Sequence, residues 1–376
     1  MDNAATSFPK PEGVARAVYE QIGMGAGSAK RGGHRGAAAA SRLVTDTREA
    51  MAKLFHISQP EQIAFTMNGT QALNLAILGS LAPGDHVIST NMEHHAVARP
   101  LAHLAKNGVS WTQIPAENGL DTEALRRAIR PNTRMICMLH ASNVTGAVFP
   151  IREVGQIARE YGVRFLVDTA QSAGALDIDV ERDGIDLLAF TGHKGLWGIQ
   201  GTGGLYVRSG ILLRPVLFGG TGSLSESLEP PPFMPDLLEV GTMNLPGLAG
   251  LKAGVDFILE TGRERILKRE QEWMRRLWDG LREIRGVRLY GSENPEQRVA
   301  VVSFSVENAD AQAVGRFLEE KAGIISRSGL HCAALAHRAI GTGDRGTCRL
   351  SPGYFTKEEE IETVIRTVAD CARAFR

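Results

Sequence analysis

Residues 164–174, RFLVDTAQSAG, and residues 187–195, LLAFTGHKG, decide the reading of this chain. Each begins as a continuous apolar run, the pattern of a strand buried on both faces of a parallel sheet. The first run ends in Asp168, the second in Thr191, Gly192, His193 and Lys194. The carboxyl ends of parallel strands open on one crevice, so both segments can face the same ligand. A lysine can capture an aldehyde, and a carboxylate can keep a pyridine nitrogen protonated. Read alone, Asp168 is a helix cap or surface carboxylate and Lys194 a solvated charge; only together do they suggest a site.

Outward from this pair the chain keeps a strand and helix alternation, which predicts an α/β fold with a mainly parallel sheet. Strands are expected at Gln62 to Thr66, His86 to Thr90, Met135 to Leu139, Arg164 to Asp168, Leu187 to Thr191 and Gly204 to Val207. Helices are expected at Thr70 to Leu78, Ala96 to Ala105 and Ile151 to Tyr161, each closed by a nearby Gly or Pro. The proline-rich stretch Ser223 to Asp236 reads as an exposed loop. Beyond it, Ile266, Trp273, Leu277, Leu281 and Ile284 mark one face of a long helix, Arg298 to Val306 an apolar strand, and Thr356 with Glu359 a capping box for a last helix. These patterns predict a large domain at 16–255 and a smaller α+β domain formed by 256–376 with residues 1–15.

The chain has 376 residues, with 42 Lys and Arg against 42 Asp and Glu. That balance provides no long-range field for nucleic acid or for an acidic membrane, and favours a small-molecule ligand. The opening, MDNAATSFPKP, lacks the pattern of a targeting segment, and no apolar run reaches membrane-spanning length, so a soluble, cytoplasmic protein is expected. Cys137, Cys332, Cys348 and Cys371 are too scattered for a disulfide framework and form no metal-binding pair.

TGHKG following VDTAQSAG resembles the class V branch of the fold-type-I pyridoxal phosphate (PLP) enzymes, and within it the cysteine desulfurases. Matching segments follow in order: DNAAT at the start, RGGH at 31–34, TRE at 47–49, IAFTMNGTQALNLA at 63–76, GDHVISTNMEHHAV, HASNVTGAVFPI, GTMN at 241–244, SGLHCA at 328–333 and TCRLSPGYF at 347–355. The resemblance implies that Lys194 carries PLP as a Schiff base, Asp168 pairs with the ring nitrogen, and Asn143 and Gln171 lie near the ring's phenolic oxygen. It implies a phosphate cradle of Gly69, Thr70, Thr191 and His193, completed by Thr242 from a second subunit of a homodimer. Gly69 stands where many relatives have a threonine, which removes one hydroxyl from that cradle. His94 would stack on the ring and move protons, whereas adjacent His95 reads as a helix-end or surface residue. Arg349 would bind the substrate carboxylate, with Asn3 and Arg31 as further substrate contacts and His34 beside them.

Cys332 decides the reaction class. Taking sulfur from cysteine requires a nucleophile to hold it as a persulfide, and Cys332 lies in the Gly-x-His-Cys-Ala pattern that carries this thiol. Ala334 replaces a frequent proline in that loop, and the other three cysteines read as packing residues. The resemblance therefore implies conversion of L-cysteine to L-alanine and transfer of the sulfur to an acceptor protein or thiol, as in iron–sulfur cluster assembly. A selenocysteine lyase acting on L-selenocysteine, another class V activity, and a non-catalytic PLP-binding scaffold are the alternatives.

Overall fold

The computed structural model describes residues 1–24, 27–29 and 32–376. Two helices come first, α1 (Glu12–Gly23) and α2 (Arg35–Phe55). The alternating region follows: β1 (Ile63–Thr66), α3 (Gly69–Ser80), β2 (His86–Thr90), α4 (His95–Ala105), β3 (Ser110–Ile114), α5 (Thr122–Ala128), β4 (Thr133–Leu139), α6 (Ile151–Tyr161), β5 (Arg164–Asp168), β6 (Leu187–Thr191) and β7 (Gly203–Val207). Its strands form one sheet in the order β1-β7-β6-β5-β4-β2-β3. β3, β2, β4, β5 and β6 are parallel, while β7 runs antiparallel to both β6 and β1. The sheet is thus mainly parallel, and β5 and β6 are neighbours with Asp168 opposite Ala189.

Local chemistry sets the element ends. Gly162 closes α6 at φ 65°, a left-handed position that glycine adopts without steric cost. Asn68 opens α3 by accepting the amide of Gln71 on its side chain. A side chain at Gly203 would lie 2.6 Å from the carbonyl carbon of Asn68, so the glycine lets β7 pass directly beneath that turn. The start of α3 is held against the sheet where the predicted site lies.

After β7 the chain forms α7 (Leu245–Thr261) and α8 (Arg263–Arg282), then β8 (Val287–Tyr290), β9 (Val302–Val306), α9 (Ala311–Ala322), β10 (Arg327–Gly329), α10 (Ala334–Ala339), β11 (Thr347–Leu350) and α11 (Glu358–Ala374). A second, antiparallel sheet runs β10-β11-β9-β8. Trp273, Leu277, Leu281, Phe304, Ile361 and Val364 pack its core with α8 and α11. The first residues of the chain join this part, since Asp2 bridges to Ser351. The stretch from Ser223 to Asp236 contains no helix or strand, and Leu228 and Phe233 are exposed there.

Several boundaries differ from the sequence expectation. The strand expected from Arg298 begins at Val302, because the Arg298 guanidinium is buried in donations to the carbonyls of Ser292, Thr145 and Val301 and lies over the Trp278 ring. α8 ends at Arg282, so Ile284 falls beyond it. The last helix is capped one residue later than expected: Glu360 accepts the amide of Lys357, while Thr356 Oγ1 accepts the amide of Gly353. Among the described residues, no helix is long and apolar enough to cross a membrane.

Candidate active site

The carboxyl ends of β4, β5 and β6, the start of α3 and the start of α4 enclose a cavity of about 190 Å³. Asn143, Asp168, Gln171, Thr191, His193 and Lys194 line it, together with Gly69, Thr70 and His94. The strand ends thus bring together these residues singled out in the sequence. Asn68, not singled out, lines the same wall; an asparagine before Gly-Thr at a strand-to-helix turn was the available signal.

Asp168 is 7% exposed, and burial raises its pKa above the ordinary carboxylate value, partly offset by the Ala170 amide bound to Oδ1 and by the charge of Lys194. Desolvation lowers Lys194 to about 8, with Asp168 pulling in the opposite direction and Arg349 and Arg327 adding to the drop. The lysine is thereby poised between amine and ammonium near neutral pH. His94 caps α4, its Nδ1 accepting the amide of Ala96, and burial followed by Lys194 drives its pKa to about 3. The ring is neutral, and this hydrogen bond assigns its proton to Nε2. His193 is likewise neutral, pushed to about 4 mainly by burial, and its Nδ1 is buried without a partner.

These features fit an anionic ring cofactor. The α3 turn offers backbone donors at a helix N-terminus beside Thr70 and Thr191, and His193 Nδ1 waits for a polar partner. Buried Asp168 has one hydrogen-bonded amide and room for a cationic N–H. Asn143 and Gln171 each use one amide proton, on the carbonyls of His331 and Ala4, and retain another.

The remaining residues stand around this cavity. Arg349, 2% exposed, donates from Nη1 to the carbonyl of Asn143 and from Nη2 to Asp2, while Nε has no partner. Asn3 is occupied in structure, tying Ser351 to the amide of Phe8. Thr242 lines a different cavity with Ser28, Ala29 and Thr221, apart from the one that holds Lys194. His34 caps α2 through Nδ1, and Arg31 lies outside the described residues.

Cys332 is exposed and lines a groove with His94, His95, Arg99 and Thr70; His94 and Thr70 also line the Lys194 cavity. His95 is a helix-end residue, as the sequence marked it, and it also faces the thiol's groove. Cys137, Cys348 and Cys371 are buried, and desolvation pushes their pKa up, to about 11 for Cys348 and Cys371. Packing thus makes three thiols unreactive and leaves the fourth beside the cavity.

A mainly parallel sheet that sets a lysine and a buried carboxylate at adjoining strand ends defines an α/β protein with a ligand crevice at the carboxyl ends of its strands. The Aminotransferase class-V family model matches residues 1–364, and the chain belongs to that family. It is 34% identical over 381 aligned residues to a probable cysteine desulfurase of Methanothermobacter thermautotrophicus, covering 98% of this chain and 94% of the relative. A probable cysteine desulfurase of Pyrococcus abyssi is 32% identical, with 100% and 94% covered. Among solved structures, the apo cysteine desulfurase of Thermococcus onnurineus NA1 superposes with a TM-score of 0.92 at 32% identity, covering 99% of this chain and 94% of that one.

Proposed function

We propose that the chain is a PLP-dependent cysteine desulfurase, converting L-cysteine to L-alanine with the sulfur held as a persulfide on Cys332. The observation that carries this reading is the shared wall: Lys194 and Asp168 line one cavity, and His94 and Thr70 join it to the groove of the exposed thiol. Bound PLP would supply an aldehyde for the substrate amine and a protonated ring to accept electrons from the α-carbon. Asp168 would hold the ring-nitrogen proton, while Gly69, Thr70, Thr191 and His193 receive the phosphate. Arg349 would orient the substrate carboxylate through its guanidinium, the geometry best matched to that group.

Lys194 would take the substrate α-proton at Nζ, a role suited to a pKa of about 8. The Cys332 thiolate then attacks the substrate sulfur: the S–S bond forms, the Cβ–S bond breaks, and Cβ takes the electron pair and a proton. Cysteine plus the Cys332 thiol thus become alanine plus the Cys332 persulfide, which an acceptor protein or thiol discharges. Because Thr242 stands away from this chain's cavity, its phosphate contact would come from a second copy in a homodimer. Incubating the purified, PLP-loaded protein with L-cysteine and measuring alanine together with protein-bound persulfide tests the reading. Equimolar products support it, and their absence removes it.

A further inference from the structure

Cys332 lies between β10 and α10 in a backbone that needs outside support. His331 and Cys332 have φ of 49° and 56°, both in the left-handed region that side chains disfavour. Such a conformation persists only where neighbouring groups hold it. Asn143 Nδ2 donates to the carbonyl of His331 at 2.7 Å, and Thr347 Oγ1 meets the His331 ring at 3.3 Å. On the other side, the backbone amide of His95 donates to the carbonyl of Cys332 at 2.7 Å, and His95 Nε2 accepts the amide of Ala334 at 3.3 Å.

We infer that His95 is a positioning residue for the sulfur carrier, its backbone and ring gripping the Cys332 loop on the carboxyl side of the thiol, opposite Asn143 on the amino side. The inference rests on the desulfurase reading for its consequence, but the grip is a property of the chain alone. His95 is the first residue of α4, where a helix amide has no partner within the helix; the carbonyl of Cys332 provides one. At the start of α10 the cap position is Ala333, whose methyl group cannot accept a hydrogen bond, and the His95 ring takes the place of a capping side chain. Accepting at Nε2 requires a neutral imidazole with its proton on Nδ1, a tautomer assigned by this bond. Burial and the neighbouring Arg99 lower the His95 pKa and favour that form. His94 lines the Lys194 cavity, so one dipeptide fixes the thiol's loop relative to the site where substrate would be held.

The test compares His95→Ala, which removes the ring acceptor but keeps the backbone bond, with His95→Gln, whose side-chain oxygen can replace Nε2. Amide hydrogen exchange over residues 330–336 reads the grip without substrate, in protein with and without PLP. In the loaded enzyme, exchange of the α-proton of cysteine with solvent reads the Lys194 step, and persulfide on Cys332 reads the thiol step. We expect His95→Ala to speed amide exchange in this segment, leave α-proton exchange within about twofold, and slow persulfide formation roughly 10- to 100-fold through misplacement of the thiol. His95→Gln should recover most of both losses. Unchanged amide exchange in His95→Ala, persulfide formation at the parental rate, or no recovery in His95→Gln would each overturn the assignment. If the parent itself forms no persulfide, the desulfurase reading falls, while amide exchange still decides whether the ring holds the loop.

Discussion

Asp2 Oδ1 accepts a hydrogen bond from Arg349 Nη2 at 2.9 Å, so the chain's own second residue holds a carboxylate on the guanidinium proposed to bind the substrate carboxylate. The same N-terminal segment reaches the other side of the site. Ser7 donates to the carbonyl of His193 from its amide and hydroxyl, and the Thr6 hydroxyl and Lys10 ammonium donate to that same oxygen. Residues 2 to 10 therefore run from Arg349 to the peptide that carries Lys194.

Asp2→Asn should strengthen binding of amino-acid substrates. An incoming carboxylate must displace Asp2 or sit beside its charge, and the neutral amide relieves both costs. Charge-assisted hydrogen bonds contribute about 1.5–3 kcal/mol and the amide keeps part of the bond, so relief of about half, roughly 0.7–1.4 kcal/mol, corresponds to a three- to tenfold fall in KM with little change in kcat. Arg349→Lys should act oppositely, because an ammonium cannot form the two-pronged pair. Steady-state kinetics with cysteine checks both; a raised KM in Asp2→Asn would make Asp2 a support for Arg349 rather than a competitor.

Borohydride reduction of the PLP-loaded protein, followed by peptide mapping, should place the pyridoxyl group on Lys194. Lys194→Ala should lose the near-visible absorbance of the lysine-linked cofactor. A pyridoxyl group on Lys10, likewise lowered to about 8 by burial, would displace Lys194 from its role.

The centre of the fold was legible because its strands are buried on both faces. β5 and β6 read as unbroken apolar runs, and their hydrophobicity marks the same residues that the sheet covers. β3 carried no such signal: in SWTQI at the sheet edge only Ile114 is buried, so neither a continuous run nor a clean alternation marks it. α2 was hidden for a related reason, since its first half turns the small Ala37 and Ala40 inward and the polar Thr47 and Arg48 interrupt the buried apolar row of Val44, Met51, Leu54 and Phe55. In the site, the residues at strand ends and turns could be read locally. Asp2 on Arg349 and His95 on Ala334 could not, because each contact spans most of the chain and is made by folding alone.

Asp168→Asn should slow exchange of the substrate α-proton about 100-fold or more while leaving PLP content nearly unchanged. The phosphate cradle is made by other residues, whereas the ring nitrogen would lose the carboxylate that holds its proton. Solvent-deuterium incorporation into cysteine or alanine isolates this step. Parental exchange in the variant would end the electron-sink assignment of Asp168.

Cofactor uptake should report the depressed pKa of Lys194. Only the neutral amine reacts with an aldehyde, so the rate at which cofactor-free protein takes up PLP should rise with pH and level off above about 8. An ordinary lysine would keep gaining reactivity toward about 10.4. Asp168 stabilises the ammonium, so Asp168→Asn should move the midpoint further down. A stopped-flow pH series with no inflexion below 10 would contradict the assigned environment.

Cys332→Ala separates sulfur transfer from its nearest alternative. The other thiols are buried and have raised pKa values, so none of them can replace Cys332 as an accessible nucleophile. The substrate sulfur leaves Cβ poorly unless a thiolate accepts it, so alanine formation from cysteine should fall to near background. Selenium, bound by a weaker carbon bond and leaving as a more acidic species, needs less help, and a substantial part of any selenocysteine activity should remain. Near-visible absorbance and α-proton exchange should persist in the variant, because Lys194 and Asp168 are untouched and Cys332 lies in the neighbouring groove. Alanine formation from cysteine within a few-fold of the parent would show that Cys332 is not the persulfide carrier. The selenocysteine reading would then move ahead, since that substrate makes the smallest demand on the missing thiol.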